Sequence, residues 1–222
     1  MADNSKDETK HSLIFTYGSL KRGFKNHFLM EDLITQNDAV LIGSFVTQDP
    51  YPLVIGPYTI GYLINLPGNG HRVKGELYSV SAPGLARLDE LEATRLGHYE
   101  RLPIEVVSYR TESDDKEQDN EDVVEAEAYY AHRSFGEALW NKKMIQCVSE
   151  YSERENSLFV KKKDRLNGGR NFLDELRDFI SASSDTHETE SEAKFGENPT
   201  PSSGSVGWNK IPDSWCEDPF RK

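Results

Sequence analysis

Short runs of apolar residues, some alternating with polar ones, dominate the first half of the chain. The runs are separated by segments rich in proline, glycine and asparagine, such as Pro67-Gly68-Asn69-Gly70, a pattern typical of β-strands joined by turns. Strands so short and so numerous favour a sheet that is closed or nearly closed. The predicted strands are Leu13–Tyr17, Ala39–Val46, Leu53–Ile55, Tyr62–Asn65, Val73–Val80, Ile104–Tyr109 and Val123–Arg133.

Three segments have apolar residues at helical spacing instead. The first runs from Asn26 to about Ile34, and the third covers residues 169–180. The second begins at Ser81, carries a proline in its first turn and places Leu85, Leu88 and Leu91 on one face. Residues 134–168 show no periodicity that predicts an element.

The polar residues are unevenly distributed, which predicts one domain with polar ends. Only 36% of the 222 residues are hydrophobic and 29% are charged, which is low apolar content for a chain that folds throughout. We expect a disordered leader at 1–11, a folded domain at 12–180 with a solvated acidic loop at 111–122, and a mostly disordered tail at 181–222, whose aromatic residues near its end could dock elsewhere.

Charge and composition exclude several classes of function. A formal net charge of −12 argues against nucleic acid as a partner. No segment approaches the roughly 20 apolar residues of a membrane span, and the N-terminus lacks a signal-peptide pattern. Cys147 and Cys216 are too far apart in sequence to indicate a disulfide or a metal site, and the run at 111–122 lacks the ligand spacing and glycine of a calcium loop. We therefore expect a cytoplasmic protein that binds no metal.

The first predicted strand ends in the turn Tyr17-Gly18-Ser19-Leu20. A strand that stops in such a turn leaves backbone N–H groups without partners, and the glycine lets a ligand approach closely. These donors can hold an anion or a carbonyl oxygen. A Gly-Ser turn is also common without any function, so both interpretations stay open.

The second predicted helix ends in several carboxylates, of which Glu92 is the candidate for chemistry. Glu92 lies four residues after Leu88 and one after Leu91, at the edge of the predicted apolar face, whereas Asp89 and Glu90 point away from it. A carboxyl group against leucines has a raised pKa, which suits a general base. The alternative is an ordinary surface glutamate at a helix end.

Several blocks of the sequence together resemble the γ-glutamylcyclotransferase family, and within it the γ-glutamylamine cyclotransferase (AIG2-like) branch. The resemblance covers about Leu13 to Arg133, and the blocks come in the order found in the family. They are Tyr17-Gly18-Ser19-Leu20-Lys21-Arg22-Gly23 with Asn26-His27, Tyr51-Pro52-Leu53-Val54-Ile55, Leu66-Pro67-Gly68-Asn69-Gly70, Val73-Lys74-Gly75-Glu76-Leu77-Tyr78, and Leu88-Asp89-Glu90-Leu91-Glu92 with Tyr99 and Arg101.

The resemblance implies an α+β fold, a small mixed β-barrel of about six to seven strands with flanking helices. It implies that Tyr17, Gly18, Ser19 and Leu20 form the turn that binds substrate and that Glu92 is the catalytic glutamate. The implied substrate is a small γ-glutamyl molecule, with no cofactor, metal, nucleic acid or membrane involved. We expect a monomer.

The implied reaction is an intramolecular aminolysis. The α-amino group of a γ-glutamyl compound attacks its own side-chain amide, which yields 5-oxoproline and a free amine, and Glu92 carries the proton. Because the resemblance is closest to the amine branch, it favours γ-glutamyl amines such as an ε-linked lysine adduct over glutathione. The walls expected to contact the leaving amine include Tyr51, Tyr99 and Tyr130.

Other candidates for chemistry are weaker. His27 and His98 have no spaced partner and are expected to be surface or hydrogen-bonded structural residues, and Cys147 lacks the flanking signature of a thiol nucleophile. A non-catalytic barrel that binds a small ligand or a protein partner remains the alternative to an enzyme. Hydrolysis in the same cavity is disfavoured because water would compete with an amine already attached to the substrate.

Overall fold

The computed structural model describes residues 11–109, 122–165 and 170–182, which fall within one compact unit. These residues form a mixed sheet of eight strands with five α-helices. The strands are β1 (Ser12–Thr16), β2 (Ala39–Thr47), β3 (Leu53–Ile55), β4 (Gly61–Leu63), β5 (Lys74–Val80), β6 (Tyr99–Ser108), β7 (Val124–Ala131) and β8 (Gln146–Val148). The helices are α1 (His27–Thr35), α2 (Ala82–Leu91), α3 (Gly136–Trp140), α4 (Glu153–Leu158) and α5 (Phe172–Ser181).

Five of the strands close into a barrel. They follow the order β1-β5-β2-β6-β7, and β1 pairs with β7 in parallel to complete the ring, with Phe15 opposite Ala128. The other neighbouring pairs in the ring are antiparallel. Strands β4, β3 and β8 continue the sheet outward from β7. Because the barrel is closed, the loops that connect its strands lie at its two ends.

Two apolar clusters follow from the alternation of side chains along the barrel strands. One cluster fills the barrel, with contributions such as Phe15, Leu77 and Ala128 from alternate positions. The other contains the opposite faces of the same strands and the buried sides of the helices, including Leu88 of α2 and Leu176 of α5. Each barrel strand is thus buried on both faces along part of its length.

The seven strands that the sequence predicts are all present, and the α+β barrel with flanking helices is confirmed. The eighth strand, β8, lies in the stretch for which no element was predicted. Strand β6 begins at Tyr99 rather than at Ile104, since Pro103 is accommodated within its pairing with β7. The leader at 1–10, the acidic run up to residue 121 and the tail from residue 183 lie outside the described residues.

None of the helices in the described part of the chain is long and apolar enough to cross a membrane.

Candidate active site

Helix α2 ends at Leu91, and this helix end positions Glu92. Its N-terminus is capped by Ser81, whose side chain accepts a hydrogen bond from the Gly84 backbone N–H at 3.2 Å. At the other end Glu92 is the C-cap residue, and Ala93 turns the chain with a left-handed backbone at φ 51°. The predicted burial of Leu91 is wrong, because α2 ends there and its side chain stays 39% exposed, whereas Leu88 is fully buried.

The carboxyl group of Glu92 lies in an environment that disfavours its charge. Glu92 is partly exposed as a residue, yet burial of its carboxyl group raises the pKa to about 7. No described residue donates a side-chain or backbone hydrogen bond to this carboxylate. At neutral pH the group therefore exists in both protonation states, as a general acid–base catalyst requires.

Four buried tyrosines lie close enough to the Glu92 carboxyl group to feel its charge. Burial raises the pKa of each phenol above its ordinary value, and the Glu92 charge raises it further, which places all four near that charge. They are Tyr17, Tyr62, Tyr99 and Tyr129. Because they remain protonated at neutral pH, these phenols can act only as hydrogen-bond donors and acceptors or as apolar walls.

Hydrogen bonds to the backbone fix the orientation of two of these tyrosines, Tyr17 and Tyr99. The Tyr17 hydroxyl donates to the Tyr129 carbonyl oxygen at 2.5 Å and accepts from the Leu63 N–H at 3.3 Å. The Tyr99 hydroxyl donates to the Gly61 carbonyl oxygen at 2.9 Å. The end of β1 is thereby joined to β4 and β7 beside Glu92.

Asp89 fixes the orientation of Tyr129, another of the four tyrosines near Glu92. It accepts hydrogen bonds from the Tyr129 hydroxyl at 2.7 Å and from Arg101 Nε at 3.1 Å. Arg101 also forms an ion pair with Glu127. Asp89 is therefore committed to structural partners, whereas Glu92, on the same helix end, is left for other chemistry.

The turn that follows Tyr17 is anchored by Glu76 of β5. The Glu76 carboxylate accepts from the Arg22 backbone N–H at 2.9 Å, from Arg22 Nε at 2.8 Å and from the Tyr78 hydroxyl at 2.9 Å. Burial alone would raise the pKa of Glu76, but these hydrogen bonds outweigh it and hold the pKa below its usual value. A charged side chain of β5 thus anchors the residues that follow the turn.

The turn presents backbone donors that have no partner in the described part of the chain. The N–H groups of Gly18, Ser19 and Leu20 make no hydrogen bond to any described residue. The Ser19 hydroxyl accepts from Asn26 Nδ2 at 2.8 Å, and His27 Nδ1 donates to the Leu20 carbonyl oxygen at 2.8 Å, so the turn is rigid although its donors are free. A Cβ built on Gly18 would meet nothing within 4 Å, which leaves open space above the turn.

The structure brings together the two site elements predicted from the sequence. Tyr17 lies within reach of the Glu92 charge, and Gly18, Ser19 and Leu20 follow it directly. Of the three predicted wall residues only Tyr99 lies by Glu92. Tyr51 and Tyr130 pack against each other at 5.8 Å in the barrel cluster instead.

Tyr62 and Tyr129 are the wall residues that sequence reasoning missed. Tyr62 stacks on Tyr99 with ring centroids 5.4 Å apart. Tyr129 alternates with Tyr130 on β7 and belongs to the face that points away from the barrel interior. That face of a barrel strand is buried wherever another element covers it, and Tyr129 is only 4% exposed. Nothing in the local pattern distinguishes such a covered face from a solvated one.

The histidines fit the expectation of hydrogen-bonded structural residues. His27 is buried against the turn, and His98 Nε2 lies 3.1 Å from the Tyr62 hydroxyl. Within the described ranges, no three histidine, cysteine or acidic side chains are grouped so that they could hold a metal ion.

Chemically, this arrangement can bind a small polar molecule and move one proton. The turn offers N–H donors for a carboxylate or a developing oxyanion, and Glu92 offers a base whose pKa of about 7 matches neutral pH. Among the described residues, no side chain known to lie beside Glu92 is an evident nucleophile, since the neighbouring phenols are held protonated. A reaction in which the substrate supplies its own nucleophile fits this set of groups.

Comparisons with known proteins agree with this assignment. Residues 14–147 match the family model described as γ-glutamyl cyclotransferase, AIG2-like. The chain is 46% identical over 177 residues to an Arabidopsis thaliana protein named provisionally as a γ-glutamylcyclotransferase, an alignment that covers 78% of this chain and 94% of that protein. It is 42% identical over 83 residues to the human γ-glutamylaminecyclotransferase, covering 37% of this chain and 54% of that enzyme, so only about half of that relative is matched.

A solved structure shares the fold. The crystal structure of an AIG2-like protein from Mus musculus superposes with a TM-score of 0.55 at 28% identity, and the superposition covers 70% of this chain and 98% of the mouse chain. The chain therefore belongs to the AIG2-like γ-glutamyl cyclotransferase family.

Proposed function

We propose that the protein is a γ-glutamyl cyclotransferase that converts γ-glutamyl amines into 5-oxoproline and the free amine. The observation that carries the proposal is Glu92, a carboxyl group with a pKa near 7 and no protein hydrogen-bond partner among the described residues, beside a turn with free N–H donors. A purely binding barrel has no need for an uncompensated base at this position.

The reaction uses Glu92 twice. The α-ammonium group of the substrate gives a proton to Glu92, and the resulting amine attacks the γ-carbonyl carbon of the same molecule. The N–H groups of Gly18, Ser19 and Leu20 can hold either the substrate carboxylate or the oxyanion that forms on the attacked carbonyl. When the amide C–N bond breaks, Glu92 returns its proton to the leaving nitrogen, the ring nitrogen gives up its remaining excess proton to the freed amine or to solvent, and the neutral five-membered lactam remains.

Ring closure explains why the enzyme needs so few catalytic groups. Nucleophile and electrophile belong to one molecule, so the effective concentration of the amine is large once the folded conformer is bound. The tyrosine walls exclude water around that conformer, which favours cyclisation over hydrolysis. A well-placed acid–base group adds about 10²–10⁴-fold.

The amine branch is favoured by the relatives at hand, since several of them are named γ-glutamylaminecyclotransferases. The test is to incubate the protein with an ε-(γ-glutamyl)lysine, a γ-glutamyl dipeptide and glutathione and to quantify 5-oxoproline by mass spectrometry. We expect fastest turnover of the lysine adduct. Faster turnover of glutathione would overturn the substrate assignment, and release of glutamate in place of 5-oxoproline would overturn the reaction type.

A further inference from the structure

Arg165 carries a positive charge at the edge of the aromatic wall that surrounds the site. Its guanidinium carbon lies 4.9 Å from the ring centroids of both Tyr58 and Phe172. Its Nε donates to the Val160 carbonyl oxygen at 3.2 Å, and the residue is half-buried. Two aromatic faces and one hydrogen bond thus hold the guanidinium in place.

A continuous series of ring contacts connects Arg165 to the tyrosines around Glu92. The ring of Phe172 is 4.8 Å from that of His98, which is in turn 4.6 Å from that of Tyr99. Tyr62, which stacks on Tyr99, is close enough to both charged groups for each to act on its hydroxyl. Burial raises the pKa of Tyr62, the Arg165 charge opposes that rise, and the Glu92 charge adds to it.

The charge of Arg165 is not balanced by an ion pair within the described part of the chain. No carboxylate there forms a salt bridge with it, and its two terminal nitrogens make no hydrogen bond to any described residue. Glu175, which accepts from the Tyr58 hydroxyl at 2.8 Å, acts on it only through the longer-range field. Burial accordingly lowers the pKa of the guanidinium, which still remains charged at any working pH.

A guanidinium with two free terminal nitrogens matches the geometry of a carboxylate, which it can bind through two parallel hydrogen bonds. In the proposed reaction Glu92 and the turn bind the glutamyl part of the substrate, so the leaving amine is the part that can extend along the aromatic wall toward Arg165. Arg165 also lies beyond residues 14–147, the part matched by the family model. It is therefore placed to add selectivity to a shared reaction centre.

We propose that Arg165 determines specificity by binding a carboxylate carried by the leaving amine of the substrate. This inference rests on the proposed cyclotransferase function. Arg165 would then distinguish leaving groups that bear a distal carboxylate from amines that are uncharged at that end. The nearby Glu175 carboxylate can pair with an ammonium group that the leaving amine carries next to its carboxylate, as an amino acid does.

The test compares two synthetic substrates that differ only in the distal group. One is the γ-glutamyl amide of 6-aminohexanoate, and the other is the γ-glutamyl amide of 6-aminohexanamide, in which a neutral amide replaces the carboxylate. In the wild-type protein we expect kcat/KM for the carboxylate substrate to be about tenfold higher or more, the size of effect expected for one charge-assisted contact. The difference should lie in KM, since Arg165 does not touch the reacting atoms.

Three variants separate charge recognition from packing. Arg165→Met keeps an apolar chain against Tyr58 and Phe172 and should reduce the selectivity ratio to about one, with the amide substrate unchanged within about twofold. Arg165→Lys keeps the charge and should retain part of the selectivity. Lys163→Met removes an exposed charge two residues away and should leave the ratio intact.

Each outcome bears on the inference. An unchanged ratio in Arg165→Met, or an equal loss of both substrates, would show that Arg165 is only a packing residue. If Arg165→Met does not fold, the wild-type ratio decides, because equal turnover of the two substrates overturns the inference by itself. Formation of 5-oxoproline from both substrates without selectivity would leave the proposed function standing, whereas no 5-oxoproline from any γ-glutamyl compound would overturn both.

Discussion

The charge on Glu92 is unfavourable for the fold, and the same property suits it to catalysis. Its carboxyl group is buried enough that the pKa rises to about 7, and no described residue compensates by donating a hydrogen bond. Asp89, three residues earlier on the same helix, accepts two hydrogen bonds and is part of the framework. Two acidic residues at the same end of α2 thus have different roles, which depend on what each side chain contacts.

Replacing Glu92 by Gln should abolish turnover without harming the fold. An amide cannot accept the ammonium proton at neutral pH, so we expect kcat to fall by about 10²-fold or more. Stability should be unchanged or higher, because a desolvated charge is removed. The measurements are 5-oxoproline formation and a thermal melt.

Glu90→Gln is the matched control, since Glu90 is exposed on the same helix. It should retain nearly full activity. More than a tenth of wild-type turnover in Glu92→Gln, together with an inactive Glu90→Gln, would show that the wrong carboxylate has been assigned.

The pH dependence of the reaction should report the raised pKa. The general base must be ionised to accept the ammonium proton, so kcat/KM should rise with pH through an apparent pKa near 7. An ordinary glutamate, with a pKa of about 4.3, is already ionised over most of the range from pH 5 to 8. A kcat/KM profile that is flat over this range would therefore contradict the role of Glu92.

Stability should move in the opposite direction over the same window. The pKa of Glu92 rises from 4.5 to about 7 on folding, so the folded state binds more protons than the unfolded state between these values. The free energy of unfolding should therefore fall as pH rises through the window. Comparison with Glu92→Gln isolates this change, which we expect to be on the order of 1–2 kcal/mol given the partial exposure of the residue. Equal pH dependence in the two proteins would show that Glu92 has an ordinary pKa.

At the residue scale, part of the sequence argument for Glu92 is wrong. The spacing from Leu88 correctly places Glu92 toward the protein, but Leu91 is exposed and Glu92 caps the helix rather than lying on its face. Helix ends cannot be located from periodicity within a turn. The left-handed Ala93 that fixes this end has no signature, because glycine is the usual residue there.

Among the elements, the pairing of β1 with β5 depends on a glycine. A Cβ at Gly75 would lie 2.5 Å from the Thr16 carbonyl oxygen and 2.6 Å from the Phe15 ring, so neither strand could keep its position. Gly75→Ala should therefore destabilise the protein by about 1–3 kcal/mol or more, as overpacking does. Chemical denaturation measures the change.

Gly43 on β2 provides the comparison for this prediction. Its nearest atom to an added Cβ is in the Phe45 ring at 3.8 Å, an ordinary contact. Gly43→Ala should leave the free energy of unfolding nearly unchanged. Similar losses in both variants would mean that backbone freedom, rather than close packing, explains the glycine on β5.

The anchoring of the turn to β5 can be tested through Glu76. Glu76→Gln should remove charge-assisted hydrogen bonds to Arg22, cost about 1–3 kcal/mol and raise KM by loosening the turn that we propose binds the substrate. Glu105→Gln, exposed on β6, is the control and should change neither quantity. An unchanged KM in a destabilised Glu76→Gln would separate the anchor from substrate binding.

The elements that the sequence predicts well are the long or strongly alternating ones. All seven predicted strands and all three predicted helices exist, with boundaries shifted by a few residues. The missed elements α3, β8 and α4 have only 5, 3 and 6 residues, too few to establish a period. Their positions depend on contacts such as the pairing of Val54 with Cys147, which no local pattern encodes.

Across the whole molecule, barrel closure is the feature that local reasoning cannot supply. The ring closes through β1 and β7, strands more than a hundred residues apart, with Ile14 opposite Glu127. The same closure brings the Tyr17 hydroxyl to the Tyr129 carbonyl and so assembles the site. Only the family resemblance implies this arrangement from the sequence.

The ends of the chain should be dispensable for this assembled site. Helix α5 belongs to the fold, since Leu176 is fully buried and Lys142 Nζ donates to the Ala182 carbonyl oxygen at 2.8 Å. The segments beyond it are rich in serine, threonine, glutamate and glycine, with little apolar content to join a core. A chain limited to residues 11–182 should therefore fold and retain turnover within about twofold of the full chain, by circular dichroism and 5-oxoproline formation.

A second truncation sharpens the result. A chain limited to residues 11–165 loses α5 with Leu176 and Phe172, so it should unfold at lower temperature and lose activity, because Phe172 packs against His98 and the tyrosine wall of the site. If instead the 11–182 chain folds but is inactive while a chain limited to residues 1–182 is equally inactive, residues 183–222 contribute to the site. The aromatic residues Trp208 and Trp215 are then the first to replace by alanine in the full chain.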